Sequence, residues 1–203
     1  MRLAMHLIVS GFAVASLLTQ CSTSEKEKGG SQVVDPAETG TRIIGEQSEP
    51  DTLKGSLKAV ARGTVGDAGI TINYYSPAVR GRVIWGGLVP FDNVWVTGAH
   101  SATNIEFNQE VVIGGVVVAP GKYALFTIPG RETWTIVINR NWTQHLADDY
   151  DSKEDVVRIE VTPEREESHQ ERLRYVIEEE EGEGEIVMYW EKLELSLPVA
   201  SSR

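Results

Sequence analysis

The chain has one cysteine and four histidines among its 203 residues, and aromatic residues make up only 7% of it. With a single thiol no internal disulfide can close, so stability has to come from a hydrophobic core. A folded region of ~150 residues can bury roughly 68–70% of its unfolded surface, which is enough without covalent staples. Cations are scarce too, with 19 Lys and Arg against 30 Asp and Glu and a formal net charge of -11. That balance excludes nucleic acid as a partner, and it excludes adhesion to anionic lipid by charge alone, because both need clustered Lys and Arg. Beyond the N-terminus, no apolar run approaches the ~20 residues needed to cross a bilayer.

The one apolar run that is present sets an address. Arg2 supplies a positive end, residues 3–18 an uncharged apolar stretch, and residues 22–30 turn abruptly polar. This is the layout of a bacterial secretory signal. The lone cysteine, Cys21, stands at the end of that run in Leu17-Leu18-Thr19-Gln20-Cys21, the position of a lipid attachment site. Cleavage before Cys21 would leave a diacylated N-terminus, and two acyl chains at ~0.8 kcal/mol per buried methylene hold a protein on a membrane essentially permanently. Residues 1–20 are therefore expected to be a lipoprotein signal peptide. The mature protein is expected on a bacterial envelope membrane, the outer membrane of a diderm. Loss of Arg2 moves the formal charge from -11 to -12.

Residues 21–54 contain no Phe, Tyr or Trp and are rich in Ser, Glu, Gly, Thr and Lys. Such a segment has too little apolar area to offset its ordering entropy and is expected to be a flexible tether. As a coil it would reach ~30 Å. Asp51-Thr52-Leu53 resembles a short O-glycosylation acceptor, with Thr52 as the acceptor residue.

Residues 55–200 follow period two and sustain no helical stripe. Ile70, Ile72 and Tyr74 alternate with Thr71, Asn73 and Tyr75, and Trp134, Ile136 and Ile138 alternate with Thr135 and Asn139. Val157, Ile159 and Val161 do the same with Arg158 and Glu160. These are half-buried strands. Gly114-Gly115 between two valine-rich runs predicts a two-residue hairpin, whose central positions need positive φ. Near the end, Ile186, Met188 and Trp190 are apolar on even positions but Leu193, Leu195 and Leu197 on odd ones. A bulge or bend at Glu191-Lys192 would restore a common inner face. Nine or ten short strands with close turns predict an all-β antiparallel sandwich, with a closed barrel as the alternative.

Four ordered blocks carry a resemblance. They are Tyr75-Ser76-Pro77-Ala78-Val79-Arg80-Gly81-Arg82, Gly87-Leu88-Val89-Pro90-Phe91, Val94-Trp95-Val96-Thr97-Gly98-Ala99-His100, and Gly121 to Gly130. Together they resemble the bacterial family called domain of unknown function 2911, from about Leu57 to Leu197. The resemblance implies a secreted or lipid-anchored envelope protein without an established activity. The family pattern has Arg where Val96 stands and Asn-Glu where His100-Ser101 stand, so a site built here would belong to a subgroup.

Two site hypotheses follow from the residues. His145 lies in His145-Leu146-Ala147-Asp148-Asp149. If His100 faces that segment, two imidazoles with Asp148 or Asp149 would make a two-His, one-carboxylate centre suited to Zn or Fe(II), and hence a metal-dependent enzyme. The competing reading of these histidines is structural, as loop and turn caps. Ser101 beside His100 lacks a nucleophile elbow, and neighbours on a strand point to opposite faces, which speaks against a serine hydrolase. The second hypothesis is binding. Trp134 and Trp190 fall on apolar alternation and are expected in the core. Trp85 and Trp142 lie in loop-like stretches and could present flat faces to a sugar, with Arg80 and Arg82 as donors for an anionic group. On this reading the protein binds or scaffolds a glycan, a peptide or another envelope protein.

Overall fold

The computed structural model describes residues 41–46, 51–180 and 183–202. Cys21, the signal segment and the first part of the linker lie outside the described residues, as do residues 181 and 182.

The described chain is all-β, as the alternation predicts. It comprises β1 (Leu57–Val65), β2 (Ala68–Ser76), β3 (Thr103–Phe107), β4 (Val111–Ile113), β5 (Val116–Val118), β6 (Gly121–Ile128), β7 (Trp134–Asn139), β8 (Asp155–Val161), β9 (Glu164–Glu180) and β10 (Glu183–Ser201). A 3₁₀ turn at Ser152–Glu154 precedes β8. Two antiparallel sheets form, one in the order β1-β2-β3-β6-β7-β8 and one in the order β5-β4-β10-β9. They stack as a sandwich and do not close into a barrel. The strands are not all short: β9 and β10 run 17 and 19 residues and pair with each other along most of that length.

Alternation decides which side chains enter the space between the sheets. Ile70, Ile72, Ile105, Phe107, Ile136 and Ile138 from the larger sheet meet Leu173, Ile177, Ile186 and Met188 from the smaller one, all of them buried. Each such side chain contributes about 1.5–3 kcal/mol when removed from water. Tyr74 and Tyr175 meet edge to face at 4.8 Å, and Tyr175 Oη donates to the Thr97 carbonyl at 2.7 Å. Full burial pushes the Tyr175 hydroxyl well above its ordinary range, which keeps it a donor.

The predicted change of facing in β10 is present. Register shifts against β9 fall between Tyr189 and Glu191 and again between Glu191 and Leu193, and Glu191 has φ 59°. Trp190 on one side of the shift and Leu195, Leu197 and Val199 on the other are all buried. The Gly114-Gly115 hairpin forms with φ of 58° and 79°, joining Ile113 to Val116.

Packed structure begins upstream of residue 55. Arg42 bridges Ala59 in parallel, and Ile44 is buried. Asp51 forms an ion pair with Arg172 at 2.5 Å, both side chains being almost wholly enclosed. Two parts of the segment expected to be a tether, residues 41–46 and 51–54, are thus seated on the sandwich. The physical reason is a counter-charge supplied from 121 residues further along the chain, which local composition does not show.

Candidate functional site

The outer face of the six-stranded sheet carries a second, smaller apolar cluster. Ala124, Phe126 and Val137 project outward and are covered by Val96 and Ala102, with Ala147 and Tyr150 packed against them. Two loops, residues 92–102 and 140–151, therefore lie across this face. They are joined by backbone hydrogen bonds from Leu146 N to His100 O (2.8 Å) and from Ala102 N to Gln144 O (3.1 Å), and Ser101 bridges His145. Tyr150 Oη donates to Asp155 Oδ2 at 2.7 Å, and Arg158 donates to both, closing the second loop against β8. Burial, then the bond and charge of Asp155, push the Tyr150 hydroxyl up to about 12.

Where the loop cover stops, the outer surface of β1, β2 and β3 is left as a cleft of about 200 Å³. It is lined by Thr41, Lys58, Asn73, Tyr75, Ser101 and Asn104, together with Ala59, Tyr74 and Ala102. The register explains the lining: Lys58 pairs Tyr75 and Asn73 pairs Asn104, so all four side chains share the outward face. Asn73 Nδ2 donates to Asn104 Oδ1 at 3.3 Å. Both residues line the cleft, and an amide side chain supplies an acceptor and a donor. The His100 ring stands edge-on to Tyr75 at 5.0 Å, and His100 holds φ 64°. Left-handed non-glycine residues persist only where their surroundings over-determine them and concentrate at ligand-contacting positions. Here Tyr75 and the Leu146 N–H fix the conformation. Ser101 thus lines the cleft, and His100 stands beside it against Tyr75.

The residues singled out from sequence are distributed as follows. His145 Nδ1 meets Asp148 Oδ2 at 3.1 Å, both largely exposed, and His100 packs on Tyr75 instead. The loops meet, but Ser101, not His100, is the register partner of His145. Among the described residues no three His, Cys, Asp or Glu side chains are grouped to hold a metal ion, so the set His100, His145, Asp148 and Asp149 does not converge. The remaining described histidine, His169, lies within β9 and contacts Glu171 Oε2 at 3.0 Å.

Trp85 and Trp142 do not share a surface. Trp85 turns inward to a cluster of indoles, 4.8 Å from Trp134, 5.6 Å from Trp190 and 5.9 Å from Trp95, while Trp95 stacks on Trp190 at 5.7 Å. Its glycine-rich flanks suggested a loop tip, whereas its indole plugs one end of the sandwich. Trp142 lies on the outer face with Lys122 Nζ 4.8 Å from its ring centroid. Arg82 Nε donates to Val79 O at 3.1 Å and its Nη2 to Ala78 O; Arg80 Nη2 donates to Leu53 O. The Arg82 guanidinium therefore braces its own loop, and that of Arg80 ties the loop to the N-terminal segment.

Sequence reading missed Asn73, Asn104 and Lys58 as a group, and it missed Arg172. The Arg172 guanidinium donates to Ser76 O (3.0 Å), Gly55 O (3.0 Å) and Leu53 O (2.8 Å) besides pairing with Asp51. Burial raises the Asp51 carboxyl, but the Arg172 bond, the Leu53 N–H and the charges of Arg172 and Arg80 together hold it below its ordinary value. The alternating Asn73 and Tyr75 were a visible signal; their meeting with Asn104 depends on a strand pairing that spans 31 residues.

No curated protein and no solved structure matches the chain. A family model does match, over residues 56–199, which covers all ten strands except the last two residues of β10. The chain belongs to the family described as protein of unknown function, DUF2911.

Proposed function

We propose that the protein is a lipid-anchored envelope module that binds a hydroxyl-rich ligand, a glycan unit, in the outer-face cleft. The observation that supports this reading is the set of an ammonium, two amides, two hydroxyls and a tyrosine face around one depression of about 200 Å³. A sugar offers hydroxyls that both donate and accept, which suits paired amides; its apolar ring face suits Tyr75. The volume is below the ~300–1,000 Å³ of drug-sized sites, so one saccharide unit fits rather than a long chain. Four polar contacts at about 1 kcal/mol each amount to ~4 kcal/mol, a Kd on the order of 1 mM. Such weak binding is useful to a protein held at a surface, where many copies engage one polymer.

The Cys21 anchor belongs to the same reading and rests on the signal layout described above. A glycan array probed with multivalently displayed protein tests the binding. Retention of envelope polysaccharide that is lost on Tyr75→Ala and Asn104→Ala supports the cleft. Absence of binding to any glycan, or binding unaffected by both variants, refutes it.

A further inference from the structure

The loop between β2 and β3 presents an apolar tip that the binding cleft does not use. Val83 is 75% exposed and Leu88 46%, whereas most other large apolar side chains among the described residues are enclosed. The two are held side by side, since Leu88 N donates to Val83 O at 3.0 Å and Val89 N to Ile84 O at 2.9 Å. Gly87 permits this closeness, because a Cβ there would stand 2.4 Å from Val83 O. Ile84 and Val89 are buried beneath them and Trp85 is locked among the other indoles, so the tip is rigidly mounted. Arg80 and Arg82 precede it in the loop, two cations in a chain of net charge -11, with Glu171 Oε1 accepting from Arg80 N at 2.9 Å.

Position argues for what the tip meets. It follows Ser76 directly, at the end of the sandwich where β1 begins, because Leu57 pairs Ser76. The described N-terminal segment lies at that same end: Leu53 O accepts from Arg80, and Thr41 lines the cleft beside Tyr75. The opposite end, with Gly66 against Ser201 and β4 paired to Ala200, lies about 27 Å away along the nine-residue β1. Twenty residues of sequence separate Cys21 from Thr41, a length whose reach as a coil is about 25 Å, comparable with the domain itself.

We propose that the Val83–Leu88 tip, with Arg80 and Arg82 around it, seats on the lipid surface that carries the anchor. The inference rests on the anchored reading given above. Inserted apolar side chains with cations at headgroup level suit an interface whose phosphates are anionic. Such a contact holds the long axis of the sandwich upright and turns the β4–β5 hairpin away from the membrane.

The test uses the chain from Cys21 onward, coupled through the Cys21 thiol to a maleimide lipid in vesicles of phosphatidylethanolamine and phosphatidylglycerol. An environment-sensitive fluorescent amino acid replaces Val83 in one preparation and Val117, which is exposed on β5, in another. Both side chains are exposed. Emission at position 83 is expected to shift to the blue and to be quenched by brominated lipid, with position 117 unaffected. Equal quenching at the two positions, or none at 83, overturns the proposal; a tip meant for a protein partner would give the latter. Because the anchor is imposed chemically, this outcome is independent of whether Cys21 is acylated in the cell, which mass spectrometry of the envelope form reads separately.

Discussion

Replacing Arg172 with methionine removes a charge from one of the best-enclosed positions in the protein while nearly conserving volume. The wild-type guanidinium satisfies three carbonyls and faces the Asp51 carboxylate at 2.5 Å, with its own side chain wholly buried. Removing one partner of a buried pair typically costs about 3–5 kcal/mol, because the other charge is left desolvated and unpaired. At about 2–4 °C per kcal/mol for a domain of this size, the melting temperature should fall by roughly 6–20 °C. The structure also says how the loss is limited: Asp51 can regain water if residues 51–55 leave the sheet. Arg172→Met should therefore gain a protease-sensitive site near residue 55 that the wild type lacks. Urea unfolding of Arg172→Met, Asp51→Asn and the double variant at neutral pH measures the coupling. A loss under about 1 kcal/mol for Arg172→Met, with no new cleavage, would refute the claim that this pair fastens the N-terminal segment.

Three further outcomes follow from the geometry. Trp85→Ala should destabilise the domain by about 3–5 kcal/mol in denaturant unfolding, since it empties the space among three other indoles; a cost near zero would place Trp85 on the surface. The Glu194 carboxyl is raised to about 7, first by burial, then by its bond to Glu166 and the charges of Glu164 and Glu185. A raised carboxyl keeps its proton in the folded state between about pH 4.5 and 7, so its contribution to stability declines as pH rises through that window. Glu194→Gln should thus raise the melting temperature at pH 8 and leave it little changed at pH 4, and equal effects at both would contradict the assignment. The Asp51 shift has the opposite sign: its depressed carboxyl stabilises above the ordinary carboxylate range and loses that effect as pH falls through its folded value. Wild type should therefore show acid-induced proteolysis near residue 55 ahead of global unfolding, and simultaneous loss of both would count against a local clip.

Local pattern made the sandwich legible. Period-two runs marked the strands, the glycine pair marked the β4–β5 hairpin, and the parity change at Glu191 marked a bulge that the β9 register confirms. What stayed hidden depends on which strands become neighbours. Arg172 alternates with buried Leu173 and so reads as solvent-facing, yet residues 77–79 cover that face through Val79 N to Glu171 O and Leu173 N to Pro77 O. Trp85 sits among glycines and reads as a loop tip, but the gap it fills is created by Trp95, Trp134 and Trp190 from three other parts of the chain. Likewise Asn73 and Asn104 are ordinary outward-facing strand residues until β2 and β3 are paired. Two histidine loops did come together as the metal hypothesis required, but through their backbones, with the imidazoles engaged elsewhere.

The most direct measurement of the binding claim is a titration of isotope-labelled protein with saccharide fragments of bacterial envelope polysaccharide at millimolar concentration, followed by amide and side-chain NH₂ shifts. The account predicts saturable shifts confined to Lys58, Asn73, Tyr75, Ser101 and Asn104, with both asparagine side-chain amides among them. Shifts confined to residues remote from this cleft, or no shift with any fragment, would contradict it.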